Sequence, residues 1–220
     1  AIWVGTQTLG LARLDKKTGK VRHFSYDPDN PKSITEGALW YIFVDSKGIM
    51  WLATNGGLNR FNRQEGTFDR FTMASGLPDN SIGGIVEDSE GKLWLSTLGG
   101  GLARFNPVSG KVEKVYDVSD GLQGNTFQAF SGVKTRDGQI WFGGVKGVNS
   151  FRPETITDNP YVPPVVLTAF KQGGVDVLLG KAYEKVTKID LDWQQNYFEF
   201  EFAALNYTQP EKNQYRYMLV

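Results

Sequence analysis

Cysteine is absent from the 220-residue chain and histidine occurs once, at His23. The first absence excludes disulfides, thiolate metal sites and cysteine nucleophiles. The second leaves no partner for a zinc site or a Ser-His-Asp relay. Net charge is also missing: 24 Lys and Arg balance 24 Asp and Glu, and no basic run exceeds two residues. Nothing therefore steers the chain toward nucleic acid or an anionic surface. No apolar run approaches the length of a membrane-spanning helix. No window keeps apolar residues at helical spacing over ten or more positions without a Gly or Pro.

What the chain does contain is a repeated phrase. From Asp88 to Tyr116 it reads DSEGKLWLSTLGGGLARFNPVSGKVEKVY, short alternating runs separated by Gly-, Asn- and Pro-bearing turns. Such runs form antiparallel strands joined by tight loops. The phrase recurs at Asp45–Thr72, at Arg136–Pro153 and at Ile2–Tyr26, with landmark residues Trp3, Trp51, Trp94 and Trp141 spaced 48, 43 and 47 apart. Each copy has room for four strands, which in the third are Ile82–Glu87, Leu93–Thr97, Leu102–Asn106 and Val112–Tyr116. A four-stranded sheet repeated at this period is the blade of a β-propeller.

The reading is thus all-β: a partial β-propeller of about three and a half blades over residues 1–156, then the beginning of a β-sandwich. The blades are strands two to four of one, two complete, and strands one to three of another. The four tryptophans are expected at equivalent places on successive sheets. The chain opens at Ala1-Ile2-Trp3, which matches Lys92-Leu93-Trp94 in mid-repeat, so it reads as part of a longer protein with the missing blades upstream. A linker over 157–164, rich in proline, marks a boundary. Residues 165–220 lack the tryptophan repeat, and strands are expected at Val165–Lys171, Val175–Leu179, Lys185–Leu191 and Tyr197–Ala203. In the last of these Phe198, Phe200 and Phe202 are expected to face a core, with Glu199 and Glu201 outside.

The segment from Asn80 to Asn106 resembles the propeller repeats of two-component regulators almost throughout. The tail NYFEFEFAALNYTQPEKNQYRY, with Tyr207, Tyr215 and Tyr217, resembles the triple-tyrosine β-sandwich that follows such propellers. The chain departs from that family in its smaller number of repeats, and in having Gly143-Gly144 where the other repeats place Thr after the tryptophan. The resemblance implies a periplasmic sensor region of an inner-membrane receptor with a histidine kinase or diguanylate cyclase output. It implies a carbohydrate or other small nutrient as ligand, and a homodimer formed through the sandwich. The membrane would be reached only through a segment outside this chain, with no nucleic acid partner, no cofactor, no metal and no catalytic residue.

Several residues invite a chemical role. Asp45, Asp88 and Asp137 recur and are read as the first residues of D-x-x-G hairpins, each capping its own turn. The glycine clusters precede strands rather than helices, so they are turns and not phosphate cradles. Arg13, Arg60 and Arg104 on the third strands are expected to snorkel or bond between blades. Glu36 and Asp79 are acids at the expected mouth, and nothing in the sequence pairs them for glycosidase chemistry.

Ligands of propellers usually meet one end of the central channel, built by blade-linking loops. Here these are Tyr26–Glu36, Met73–Ser81 and Asp117–Gln128. The candidate ligand contacts are Asp29, Asn30, Trp40, Asp79, Asn80, Asn125, Phe127 and Gln128, with Phe130 nearby. Amides and carboxylates beside aromatic faces suit a sugar. Asn80 and Asn125 equally suit a role in shaping their loops. A protein-interaction propeller and a propeller lyase or glycosidase are the alternatives to a sensor.

Overall fold

The computed structural model describes residues 1–157, 162–177, 180, 182–186, 188–190, 197–206, 210, 213, 215, 216 and 218. Two compact units divide the chain, 1–157 and 158–220.

The first unit is four small antiparallel sheets. Blade 1 is β1 (Ile2–Gly5), β2 (Leu11–Leu14) and β3 (Val21–Phe24). Blade 2 is β4 (Leu39–Val44), β5 (Met50–Thr54), β6 (Gly57–Asn62) and β7 (Thr67–Phe71). Blade 3 is β8 (Ile82–Glu87), β9 (Leu93–Thr97), β10 (Leu102–Asn106) and β11 (Lys111–Tyr116). Blade 4 is β12 (Phe127–Lys134), β13 (Ile140–Gly144) and β14 (Gly147–Phe151). This is the partial propeller that the repeats predict, and the third-copy strands agree except that the last begins one residue earlier. Among the described residues blade 4 has no fourth strand, and the hairpin position shows a local reason. Asp15, Asn62 and Asn106 stand at the end of a third strand or just past it and accept hydrogen bonds from N–H groups two and three residues on, nucleating the hairpin to the fourth. Arg152 holds that place in blade 4, and the 3-10 turn Pro153–Thr155 follows.

Blades are joined by an aromatic clasp that repeats with the sequence. Trp3, Trp51 and Trp94 each pack on the aromatic residue ending their own fourth strand and on a Phe from the third strand of the next blade. Trp3 meets Phe24 and Phe61, with ring centroids 6.1 and 5.3 Å away. Trp51 meets Phe71 and Phe105 at 6.0 and 5.6 Å, and Trp94 meets Tyr116 and Phe151 at 5.2 and 4.6 Å. Trp51 and Trp94 are fully buried, and rings of this size dominate the burial available to sheets so small. Trp141 departs from the expected equivalence: it is 37% exposed, since no fourth strand and no following blade cover it among the described residues.

The D-x-x-G reading holds twice and fails once. Asp45 and Asp88 lie buried, accepting turn N–H bonds on Oδ1 and the indole Nε1–H of Trp51 or Trp94 on Oδ2, both at 2.9 Å. Asp137 is two positions out of step. Thr135 begins that hairpin, and Asp137 is an exposed acid paired with Arg152. Arg60 bonds Asp69 and Arg104 pairs with Glu113, each on the fourth strand of its own blade.

The second unit is one antiparallel sheet. β15 (Val165–Gln172) lies between β16 (Val175–Asp176) and β17 (Phe198–Ala204). The strand expected at Lys185–Leu191 is not formed among the described residues. A 3-10 turn, Tyr183–Lys185, stands at its start, and Leu191 lies outside them. The strand from Val175 stops at Asp176, with Leu178 and Leu179 outside the described residues. Lys171 bonds Glu201 at 2.7 Å, on the polar face as expected. The three-phenylalanine face is not a closed core: Phe200 is 40% and Phe202 38% exposed, while Phe170 beside Phe200 is buried. Among the described residues no second layer covers that face. Residues 158–161 of the linker, and Tyr207 and Tyr217, lie outside the described residues. Tyr215 packs edge-on against Phe202 and accepts the Ala204 N–H at 3.0 Å.

Candidate functional site

The first strands β4, β8 and β12 line the inner edge of the propeller unit, and each begins with a bulge. In β4 and β8 a single residue is extra, between Leu39 and Tyr41 and between Ile82 and Gly84. In β12 the irregularity is larger: Phe127 pairs with Gly144, and the next pair is Gly132 with Phe142. The chain between them arches out, tied down by the Ser131 hydroxyl, which contacts the Gln128 and Gly143 carbonyl oxygens at 2.6 and 2.8 Å. At its crest stands Phe130, with φ 63°, the one non-glycine residue at positive φ among those described. A bulky side chain in that region is a true outlier, costing on the order of 1–3 kcal/mol.

The arch crosses β8 where β8 has no side chains. A Cβ on Gly83 would lie 3.3 Å from both Ala129 Cα and the Gln128 carbonyl oxygen. Over this gap Phe130 reaches β4, its ring 6.1 Å from Trp40, edge-on at 78°, and 6.5 Å from Tyr41. Phe130 nonetheless remains 62% exposed. The Trp40 indole donates to Asn55 Oδ1, which fixes its ring. Behind the aromatic trio a cleft of about 330 Å³ runs between the inner strands, lined by Tyr41, Phe43, Ile85, Glu87, Gly132 and Lys134 among others. At its far end Lys134 donates to the Glu87 carbonyl oxygen, and the Glu87 carboxylate accepts from Ser46 N and Oγ. The mouth thus offers three aromatic rings, an amide and exposed Gln128, without a metal-ligand group among the described residues.

The expected contacts fall into separate places. Trp40 and Gln128 stand at the mouth. Phe127 does not: it is 1% exposed and packs edge-on against Phe142, because the strand's alternation turns it into the core. Asp79 accepts the Ser81 N–H on its own loop. Asn80 and Asn125 accept the N–H groups of Met73 and Val118 at 2.8 and 3.1 Å, bridging their loops. Asn80→Ala and Asn125→Ala are each expected to cost about 1 kcal/mol, read by denaturant titration, with binding at the mouth unchanged. Asp29 and Asn30 lie toward the outer strand β7, whose Arg70 donates to the Asn30 carbonyl oxygen. Tyr41 and Asn55 were not legible as site residues, and Phe130 only as a neighbour. The available signal was the longer interval from Trp94 to Trp141 than from Trp51 to Trp94, part of which is the arch.

These features define a partial β-propeller with an aromatic mouth. Residues 76–99, from the blade 2–3 loop through β9, match the family model described as two component regulator propeller. The chain is 30% identical to histidine kinase P4 of Formosa agariphila, over a 275-residue alignment that takes in all of this chain and 20% of the kinase. The extracellular domain of the hybrid two-component system BT3049 of B. thetaiotaomicron aligns with TM-score 0.69 at 26% identity, covering 94% of this chain and 28% of that one. The extracellular domain of BT4673 of the same organism shares the fold, with TM-score 0.60 at 22% identity over 70% of this chain and 22% of that one. The chain therefore spans about a fifth of the kinase and under a third of either solved domain. No helix among the described residues is long and apolar enough to cross a membrane.

Proposed function

We propose that this chain is the ligand-sensing part of an extracytoplasmic receptor of the two-component type, and that it binds a carbohydrate or other small nutrient without turning it over. The observation that carries the reading is Phe130, a strained and exposed aromatic held over Gly83 beside Trp40 and Tyr41. Strain at a solvent-facing ring contributes nothing to folding, and it places a flat apolar surface where a sugar's C–H face would stack. Asn55 and Gln128 supply polar partners for hydroxyls. The acids weighed for glycosidase chemistry do not carry the site, since Asp79 is engaged by its own loop.

The receptor would lie in the periplasm, anchored by a segment outside this chain and followed by a kinase or cyclase output. Residues 165–220 would belong to the triple-tyrosine sandwich through which two copies pair; Tyr215, packed on Phe202 and bonded to the Ala204 N–H, would be one of its tyrosines. Ligand then shifts the pair between two arrangements only by binding one of them more tightly.

The test is calorimetric titration of the complete ectodomain with a panel of plant and host oligosaccharides, repeated with Phe130→Gly. Binding is expected to weaken about 30-fold or more, the loss of one buried aromatic contact. The variant should meanwhile unfold at a higher temperature, since glycine relieves the strain. Silence from every glycan, or equal affinity in Phe130→Gly, would sink the reading.

A further inference from the structure

Blades 2 and 3 each bring a carboxylate of the fourth strand to the arginine of the third, and blade 1 has none on its fourth strand. In blade 2, Arg60 of β6 faces Asp69 of β7, at 2.8 Å from Nη2 to Oδ2, and that guanidinium holds the Asp69 carboxyl below its usual range. In blade 3 the residue directly opposite Arg104 is Lys114, and the bulge beside it brings Glu113 to 3.3 Å. Burial pushes Glu113 upward, but hydrogen bonds from Lys92 and Asn106 with the charges of Lys92 and Arg104 outweigh it, and its carboxyl too lies low. The same third-strand position in blade 1 is Arg13, and the residue opposite on β3 is Arg22. Like charges directly opposite each other on a sheet are destabilising.

Each guanidinium lies over an aromatic ring of its own blade. Arg13 lies over the Trp3 ring at 5.8 Å and Arg22 over the Phe24 ring at 4.6 Å. Arg63, from the β6–β7 hairpin of blade 2, completes a cleft of about 430 Å³ between the blades, lined also by Phe61 and Ala1. No carboxylate is among the described residues lining it. Asp15, two residues from Arg13, accepts the N–H groups of Thr18 and Lys17, and these bonds, with a smaller share from the Arg13 charge, hold its carboxyl below the usual range. The cleft sits at the hairpin end of the unit, away from the aromatic mouth.

We propose that this cleft is an oxyanion site, in which Arg13, Arg22 and Arg63 receive a sulfate, phosphate or carboxylate group. The bound oxyanion then stands where Asp69 and Glu113 stand in blades 2 and 3. Guanidinium forks match such groups two bonds at a time, and the aromatic rings beneath fix the planes of Arg13 and Arg22. The inference does not rest on the sugar-binding reading, because it uses neither the mouth nor its residues.

The probes are sulfate, phosphate and glucuronate, titrated calorimetrically into the chain at an ionic strength held constant with chloride. Free sulfate or phosphate saturating the site points to an inorganic ion, and glucuronate alone points to an acidic sugar; either supports the site. Arg22→Asp rebuilds in blade 1 the pair that blade 2 has, so it should fold, melt no lower than the parent, and lose affinity about tenfold or more. Arg63→Ala, on an exposed hairpin, should lose a comparable part of the affinity and serves if Asp at 22 unsettles the blade. Lys17→Asp makes the same change of charge outside the cleft and should bind as the parent does. Failure of all three anions to saturate the parent, or a Lys17→Asp loss as large as that of Arg22→Asp, would overturn the proposal.

Discussion

Replacing Trp94 by alanine is expected to remove about 3–5 kcal/mol of stability from the propeller unit. The indole is fully buried, stacked on Tyr116 and tilted against Phe151 of the next blade, so its loss opens a cavity at a blade–blade seam. It also strands Asp88, a residue 7% exposed whose Oδ2 accepts the indole N–H at 2.9 Å. A buried carboxylate oxygen that loses its donor bears the desolvation cost unrelieved. Asp88 still holds the hairpin N–H groups of Glu90 and Lys92, so the turn and the seam are coupled through one side chain.

The internal control is Trp141→Ala. The sequence places Trp141 as the same residue of the same repeat, yet it is 37% exposed and Thr135 stands where its aspartate partner would be. Its replacement is expected to cost no more than about 1.5 kcal/mol. Denaturant titrations followed by tryptophan fluorescence compare the two directly. Equal losses at positions 94 and 141 would contradict the clasp as the source of blade cohesion. A cycle pairing Asp88→Ala with Trp94→Phe should show coupling of about 1 kcal/mol or more, since the two side chains share one buried bond.

The contrast between those tryptophans also marks what sequence alone can carry. Strand positions were legible because alternation and turn chemistry are local: Leu93–Thr97 between Asp88 and Gly101 has few other ways to fold. Arg136-Asp137-Gly138 misled because a motif match counts letters, whereas the hydrogen bonds count from Thr135. At Phe198, Phe200 and Phe202 the alternation identifies a face but not what covers it, and one sheet leaves that face half open. Phe127 and Phe130 show the same limit at the mouth. Only pairing register distinguishes a strand residue directed inward from one lifted on a three-residue arch, and register depends on Gly143 and Gly83 across the sheet and the neighbouring blade. The Arg13–Arg22 juxtaposition was equally hidden, because each arginine looks ordinary until the strands are paired.

Gly101→Ala is the second substitution with a large expected effect, at least about 3 kcal/mol of destabilisation. Gly101 leads the chain into β10 at φ 85°, where any side chain is strained. A Cβ there would stand 2.1 Å from the Tyr116 carbonyl oxygen, a backbone atom at the end of β11 that no rotamer change can move aside. Relief requires β11 to shift, and with it Tyr116, on which Trp94 is stacked. Two further ties resist that movement: Gly101 N–H donates to the Asn125 carbonyl oxygen at 2.9 Å, and its own carbonyl oxygen accepts from Thr97 N and Oγ1. Gly147 occupies the equivalent hairpin of blade 4 at φ 132°, with nothing within 4 Å of a Cβ, because no fourth strand runs beside β14 among the described residues. Gly147→Ala should therefore show the backbone strain alone, about 1–2 kcal/mol. In melting temperature the two should differ by several degrees, at roughly 2–4 °C for each kcal/mol in a chain of this size. A Gly147→Ala variant as unstable as Gly101→Ala would mean that a strand does pack beside β14, and that blade 4 is completed by a segment that the sequence repeat does not reveal.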